Sequence, residues 1–511
     1  MKIRLIAAYV IALLVGGTTV AAKEFRGSVA EIATSHIKRA NLCFAEMEYE
    51  HIDESEIEGL FRNLGYITDD SDKQRWLQKY TKLYNKIKNM EELIYLQSQL
   101  NAGKKDYFNE YIHNISLASK MKNSYMQVFE PALAPPSEVL QEVYDLTTKR
   151  EEILNNFMTH KNLEDILSLI ELDKTKARLQ GYVSPMELYA DMYGRSYTDE
   201  DKKIFIRLVK DKLVTVRKQY VEYLNSLDTD KFTNYKFKND EEMLSKIEKS
   251  LIHSSAEYRE AFDYLKKYKL YDINYSNKKN KDNAFTLYLQ AYKEPFICIN
   301  YEADAKTMVA LIHEFGHFLA YYNNDSGVGG YDLSETYAQA LELLTLDEHE
   351  MIFDDLEVVE ISKFYVVTNI LNSIVEGCFY EELFERVYSC KSEFLRENIE
   401  SIYIELLQEY DMDVNELAWN TLVQNIKMPG YSFSYSISGV AALEIWQKEK
   451  YNRSGKQIYL QLLRVGRNNN FVNTIRKIGL ANPFLPETIY NVKYTLENCV
   501  SLRKEAAATT V

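Results

Sequence analysis

The sequence predicts a mostly α protein with a small β element beside one chemically distinctive helix, and three observations predict it. Eighteen Gly and eight Pro in 511 residues are too few for a chain built from turns and short strands. Long stretches repeat apolar residues at intervals of three and four, as in LQKYTKLYNKIKNMEELIYLQSQL, which is the spacing of amphipathic helices. The one clear β signal, Pro295 followed by Phe-Ile-Cys-Ile-Asn-Tyr, comes just before DAKTMVALIHEFGHFLAYY, residues 304–322. With 46% hydrophobic and 27% charged residues the chain can bury a large core. Its net charge of −15 argues against nucleic acid or an anionic membrane surface as partner.

In chain order, residues 1–22 read as a secretory signal. Lys2 and Arg4 precede an apolar run from Leu5 to Val15, and small residues follow at Val20, Ala21 and Ala22, with cleavage expected before Lys23. An uncleaved anchor is the other reading. Cleavage would leave a protein outside the cytoplasm, secreted or periplasmic, without stable membrane association, and no other segment reads as spanning a bilayer. Cys43, Cys298, Cys378, Cys390 and Cys499 form no C-x-x-C pair, and at this size a disulfide framework is not required.

Residues 23–175 form an N-terminal helical region and 176–505 a region that carries the distinctive motif. Pro131, Pro135 and Pro136 mark an edge, with Ser137 as a helix cap. Gly181 to Pro185 breaks the pattern before a helix at about Met186, and helices then continue to about Tyr268. YDINYSNKKNKDN, 271–283, reads as a solvated loop. Pro295 at the head of its run makes that run an edge strand, able to pair with an extended peptide through its backbone; a buried core strand is the alternative.

The motif is His313-Glu314-Phe315-Gly316-His317, an H-E-x-x-H pattern. Side chains four apart on a helix share a face, so both imidazoles can reach one metal ion with Glu314 beside them. Asp304 is a good N-cap, and Met308, Leu311, Ile312, Phe315 and Leu319 form a stripe to bury. A catalytic zinc takes three protein ligands. The third-histidine version of the motif fails, because Ala320 and Asn323 stand where its Gly and His would be. A carboxylate is therefore expected, and Glu335 is the first Glu on the next helix. Glu342, seven further on, lies on the same face, placed to hydrogen-bond a ligating imidazole. Asp332-Leu-Ser-Glu335 also reads as a capping box, so both roles stay open for Glu335.

PFICINYEADAKTMVALIHEFGHFLAYY and DLSETYAQALE resemble the zinc-binding core of the thimet oligopeptidase and oligoendopeptidase F family of metallopeptidases. RLQGYVSPMELYADMYGRS and YLQLLRVGRNNNFVNTIRKIGLANPFLPETI resemble further segments, nearer the oligoendopeptidase F branch, so the likeness spans about 175–495. The resemblance implies a helical ellipsoid with a deep channel and one Zn2+ per chain on His313, His317 and Glu335. It also implies Glu314 as general base, and oligopeptides rather than folded proteins as substrates. Two departures stand out. The loop before Glu335 is short for the family, and the chain has no His after His349, where the family has a downstream His and tyrosines facing the oxyanion. PGYSFSYSISG, 429–439, resembles the tyrosine-rich segment, which makes Tyr435 first and Tyr431 second as oxyanion donors, a packed aromatic turn being the alternative. The resulting expectation is an exported zinc oligopeptidase cutting internal peptide bonds. Its rivals are a zinc-bearing peptide-binding pseudoenzyme, an exopeptidase on the same core, and a structural helical protein with an accidental motif. The oligomeric state is not legible.

Overall fold

The computed structural model describes residues 137–509 except position 161 and segments 274–283, 290–292, 300–303, 325–329, 414–421, 423–424 and 466–469, together with scattered residues between 52 and 121. The expected signal, the prolines at 131–136 and Cys43 lie outside the described residues, as does most of the chain before Ser137. From Ser137 on, the mostly α expectation holds.

Helices α1 (Ser137–His160), α2 (Leu163–Leu179), α3 (Pro185–Met192) and α4 (Asp199–Lys212) open this part. The break at Gly181 to Pro185 has the form the sequence suggests: the Ser184 hydroxyl accepts from the Glu187 amide at 3.2 Å, with Pro185 in the first turn. Thr198 and Asp201 make a reciprocal capping box on α4. Further helices run to Tyr268, where Lys269 closes the last one in the left-handed region at φ 50°.

The three-stranded sheet has the order β1 (Tyr271–Ile273), β3 (Glu294–Ile299), β2 (Ala284–Leu289), which decides one open alternative and corrects one expectation. The Pro295 run is the buried central strand, parallel to β1 and antiparallel to β2. Residues 271–273, expected in a loop, form an edge. The Ile297 amide donates to Leu270 O on the β1 side at 3.0 Å, and Pro295, two residues earlier, aims its nitrogen to that same side. β1 begins at Tyr271 opposite Ile297, so it does not reach Pro295, and the missing N–H costs no ladder bond.

Helix α5 (Ala305–Asn323) follows, capped as expected by Asp304, whose carboxylate accepts from the Thr307 amide at 2.9 Å. Met308, Leu311, Ile312, Phe315 and Leu319 are all buried. Helix α6 (Tyr331–Leu344) runs back along α5, and here Gly316 decides the spacing. A Cβ at Gly316 would stand 2.6 Å from Ala338 Cα and 2.8 Å from Tyr337 O, so the two backbones touch. Helix α7 (Leu356–Ser389) is long and apolar enough to cross a membrane by length and composition, unlike the sequence expectation. Most of its apolar window is buried inside the protein, and Gly377 on α7 and Gly439 on the facing helix let it meet α9 (Tyr431–Asn452) closely. Helix α8 (Ser392–Glu409) lies between these two in sequence, and α10 (Gly455–Leu463) follows α9. None of the four described cysteines is bridged.

His349, the last histidine in the chain, is 1% exposed. The Ser362 hydroxyl gives its proton to Val359 O at 2.7 Å, so His349 Nδ1–H donates to Ser362 Oγ at 2.8 Å. Nε2 has no hydrogen-bond partner, and burial pushes the imidazole down to about 3.

Two outcomes follow from this packing. Gly316→Ala should destabilise by roughly 1–3 kcal/mol, read from urea denaturation, and an unchanged midpoint would contradict the backbone contact. His349 titrates lower folded than unfolded, so the unfolded chain binds the extra proton between about pH 6.5 and about 3. Stability contributed by neutral His349 is therefore lost as pH falls through that window, with a slope of about 1.4 kcal/mol per pH unit. Denaturation at several pH values should show a flatter profile for His349→Gln.

Candidate metal centre

Helix α5 returns His313 and His317 to one face, with ring centroids 5.0 Å apart and planes at 80°. The antiparallel register of α6 is visible in its partners: Ser334 meets His317, Ala338 meets Gly316, and Glu342 meets His313. Helix α6 starts at Tyr331 with Gly330 as N-cap at φ 56° and no side-chain cap. Asp332 therefore lies in the first turn, the capping-box reading does not apply, and Glu335 points into the site.

Three donor atoms converge. Glu335 Oε2 is 3.5 Å from His313 Nε2 and 3.6 Å from His317 Nε2, and ligand atoms from the three residues lie within 4.8 Å of one another. The outer ring nitrogens are engaged: His313 Nδ1 with Glu342 Oε1 at 2.7 Å and His317 Nδ1 with Ser334 Oγ at 3.2 Å. In the neutral ring, a proton held on His313 Nδ1 by Glu342 leaves Nε2 as a lone pair directed inward. Glu335 Oε2 is buried and makes no hydrogen bond, which is costly for a carboxylate oxygen. Two imidazoles and one orphaned carboxylate oxygen around a common point fit a divalent metal with an open fourth position, and zinc suits this donor set.

Charges respond to the crowding. Burial raises Glu335, but His317 and His313 beside it outweigh this and hold it below the ordinary carboxylate range. Burial lowers His313, but Glu342 and Glu335 overcome it and raise the ring well above its usual value. His317 is pushed down to about 4, chiefly by burial. Glu314 is 5% exposed and burial raises it to about 7, against the pull of His313 and Thr286. The Thr286 hydroxyl, on β2, donates to Glu314 Oε2 at 2.7 Å and lies 3.0 Å from Glu314 O.

The aromatics expected to alternate along 431–439 are on the helix α9. Tyr431 and Tyr435, four apart, share its site-facing side, whereas Phe433 points the other way into the core. The Tyr431 hydroxyl donates to Glu335 Oε1 at 2.8 Å. Tyr435 packs edge-on against it at 5.5 Å and its hydroxyl interacts with both Tyr431 and Glu335. Burial raises both phenols far above their ordinary value, so both keep a proton to donate. The packed-turn alternative for this segment gives way to a helical face, and every residue singled out in the sequence lies in one cluster. Thr286, Ser334, Tyr193 and Tyr331 were missed. Ser334 alone carried a local hint, as Glu335's neighbour.

No protein-family model matches this sequence, and no curated protein matches it. Solved structures do match its fold. PZ peptidase A with an inhibitor is 17% identical, with a TM-score of 0.72 over 90% of this chain and 99% of that one. A structure described as an oligoendopeptidase F from Bacillus anthracis str. Ames is 16% identical, with a TM-score of 0.71 over 89% of this chain and 98% of its own. Metallocarboxypeptidase 1 of Trypanosoma cruzi is 12% identical, with a TM-score of 0.50 over 90% of this chain and 97% of that chain. The chain thus has the oligoendopeptidase F-like fold.

Glu335→Ala should abolish tight zinc binding, and Glu342→Ala should weaken it about 10–100-fold, both read by metal titration of the purified protein. Wild-type affinity in Glu335→Ala would remove Glu335 from the ligand set.

Proposed function

We propose, from the oligoendopeptidase F-like fold and the chemistry of the cluster it encloses, that this chain is a zinc-dependent peptidase that hydrolyses internal bonds of short peptides. The observation that carries the reading is the orphaned Glu335 Oε2 facing two imidazole Nε2 atoms, 3.5 and 3.6 Å away. Glu314 and two protonated phenols surround that point.

His313, His317 and Glu335 would hold the metal. Zinc on such a set lowers the pKa of a bound water from about 15.7 towards about 7 and polarises a carbonyl. Glu314, held by burial above the ordinary carboxylate range, is favoured to take up a proton. It takes the water's proton as oxygen attacks the peptide carbon, then gives that proton to the amine nitrogen as the C–N bond breaks. Thr286 fixes one Glu314 oxygen and leaves the other for this work. Tyr435 presents an O–H donor to the developing oxyanion, and Tyr431, whose proton goes to Glu335 Oε1, would reach it only by turning from that contact. The Pro295 strand, central in the sheet, offers no free edge for a peptide to pair with.

Export rests on residues 1–22 alone. An exopeptidase is the second reading, favoured by the fold shared with the Trypanosoma metallocarboxypeptidase. Residues 23–511, purified, should hold one zinc and cleave internal bonds of blocked peptides in a chelator-sensitive way. Cleavage confined to free termini would establish the exopeptidase, and zinc without cleavage the peptide-binding pseudoenzyme. Glu314→Gln should keep the metal and lose turnover. Tyr435→Phe should raise the barrier by roughly 2.7–4 kcal/mol, and a near-normal kcat would remove Tyr435 from the chemistry.

A further inference from the structure

The chain entering α9 is held from far away in sequence. Arg150 on α1 donates to Ile426 O at 2.7 Å and to Lys427 O at 3.3 Å. The Tyr193 hydroxyl donates to Pro429 O at 3.1 Å, and Arg195 Nη2 donates to Gly430 O. Gly430 is the N-cap of α9, at φ 80° with no side-chain cap, and these donors fix the approaching chain through its carbonyl oxygens.

The start of α6 depends on the same turn. A Cβ on Gly330, its N-cap, would lie 3.6 Å from Tyr193 O and 3.8 Å from Gly194 O. The Tyr193 ring meets Tyr331 edge-on at 5.4 Å and Tyr431 at 5.9 Å. Those two rings, the first residues of α6 and α9, meet each other at 5.0 Å. One tripeptide therefore touches the first turn of the helix bearing Glu335 and the first turn of the helix bearing Tyr431.

Arg195 is itself anchored. Its Nη1 lies 3.3 Å from both oxygens of Glu381 on α7, a carboxylate that also takes Lys202 at 3.0 Å and is fully buried. Burying such a cluster is expensive, and an apolar filling is often at least as stable. What a guanidinium fork supplies that an apolar side chain does not is direction: two fixed bonds, one to α7 and one to the mouth of α9.

We propose that Tyr193-Gly194-Arg195 is a positioning turn that sets the spacing between the starts of α6 and α9, and through it the Tyr431–Glu335 contact, with Arg195 as its positioning residue. The inference rests on the peptidase reading for its effect on turnover, but not for its effect on the metal centre. Arg195→Lys keeps a charge for Glu381 and loses the fork.

The test compares wild type, Arg195→Lys, Tyr431→Phe and the double variant in peptide cleavage and in the rate at which a chelator strips zinc. Arg195→Lys should keep one zinc and a KM within about twofold, with kcat at least about tenfold lower and faster stripping. In the Tyr431→Phe background the same change should cost less than about twofold in either readout, because the group it positions is gone. Effects that multiply independently, or an unchanged kcat and stripping rate, would overturn the proposal. Tyr193→Phe loses only the Pro429 bond and should show the same non-additivity at smaller size, which decides the matter if Arg195→Lys fails to fold. Should the wild type cleave no peptide, the peptidase reading fails and the stripping rates still judge the turn.

Discussion

The contact between Gly316 and Ala338 is the constraint on which the rest of the centre depends. A Cβ at Gly316 has no room, with Ala338 Cα at 2.6 Å, so α5 and α6 approach at backbone contact. At that separation the short glutamate side chains of α6 span the gap: Glu342 reaches His313 Nδ1 at 2.7 Å one turn beyond the contact, and Glu335 comes near both Nε2 atoms on its other side. Helices at ordinary spacing, about 8–10 Å, would leave these groups separated by water. The glycine between the two histidines therefore belongs to the metal geometry as much as the histidines do.

That geometry concentrates charge where solvent is scarce. Glu314, Glu335 and Glu342 are each less than 10% exposed, and the two imidazoles beside them respond oppositely, His313 raised and His317 lowered. Glu335 Oε2 is left without a hydrogen bond in the middle of this set. A buried carboxylate oxygen without a donor is costly unless a cation completes it, so the same arrangement that costs the protein stability favours a dication.

How much of this could be read from the chain depends on the range of each interaction. Helix α5, its Asp304 cap and its buried stripe were legible because they follow from residues within four positions of one another. The sheet was not. A proline rule assigned β3 to an edge, whereas what matters is which side the missing N–H faces and how far β1 extends, and both are set by tertiary contacts. Glu335 was ambiguous between ligand and cap until Gly330, at φ 56°, fixed the helix start one residue before Asp332. Tyr431 and Tyr435 looked like alternating aromatics, a strand-like period, and only the helix turns them onto one face. Thr286, Tyr193 and Arg195 act across separations of 28, 236 and 235 residues, where local sequence carries no signal.

The two phenols also bear on a departure in the sequence, the absence of any histidine after His349. His349 itself lies in the core on Ser362, so no imidazole downstream of α5 is available to the centre. A histidine donor titrates near neutrality and loses its positive charge on the alkaline side. A phenol titrates near 10 in water, and burial moves Tyr431 and Tyr435 higher still, so each holds its proton through neutral pH. Donors of this kind lack the strength of a charged partner, and their value depends on being held in place. The requirement is met from outside the site: α9 begins at a glycine with no cap of its own, and its entry is fixed by Arg150, Tyr193 and Arg195. On the proposed peptidase reading, neutral donors would act through rigidity rather than charge, and the buried ion pairs around Arg195 beneath Gly430 hold the entry of α9 in place.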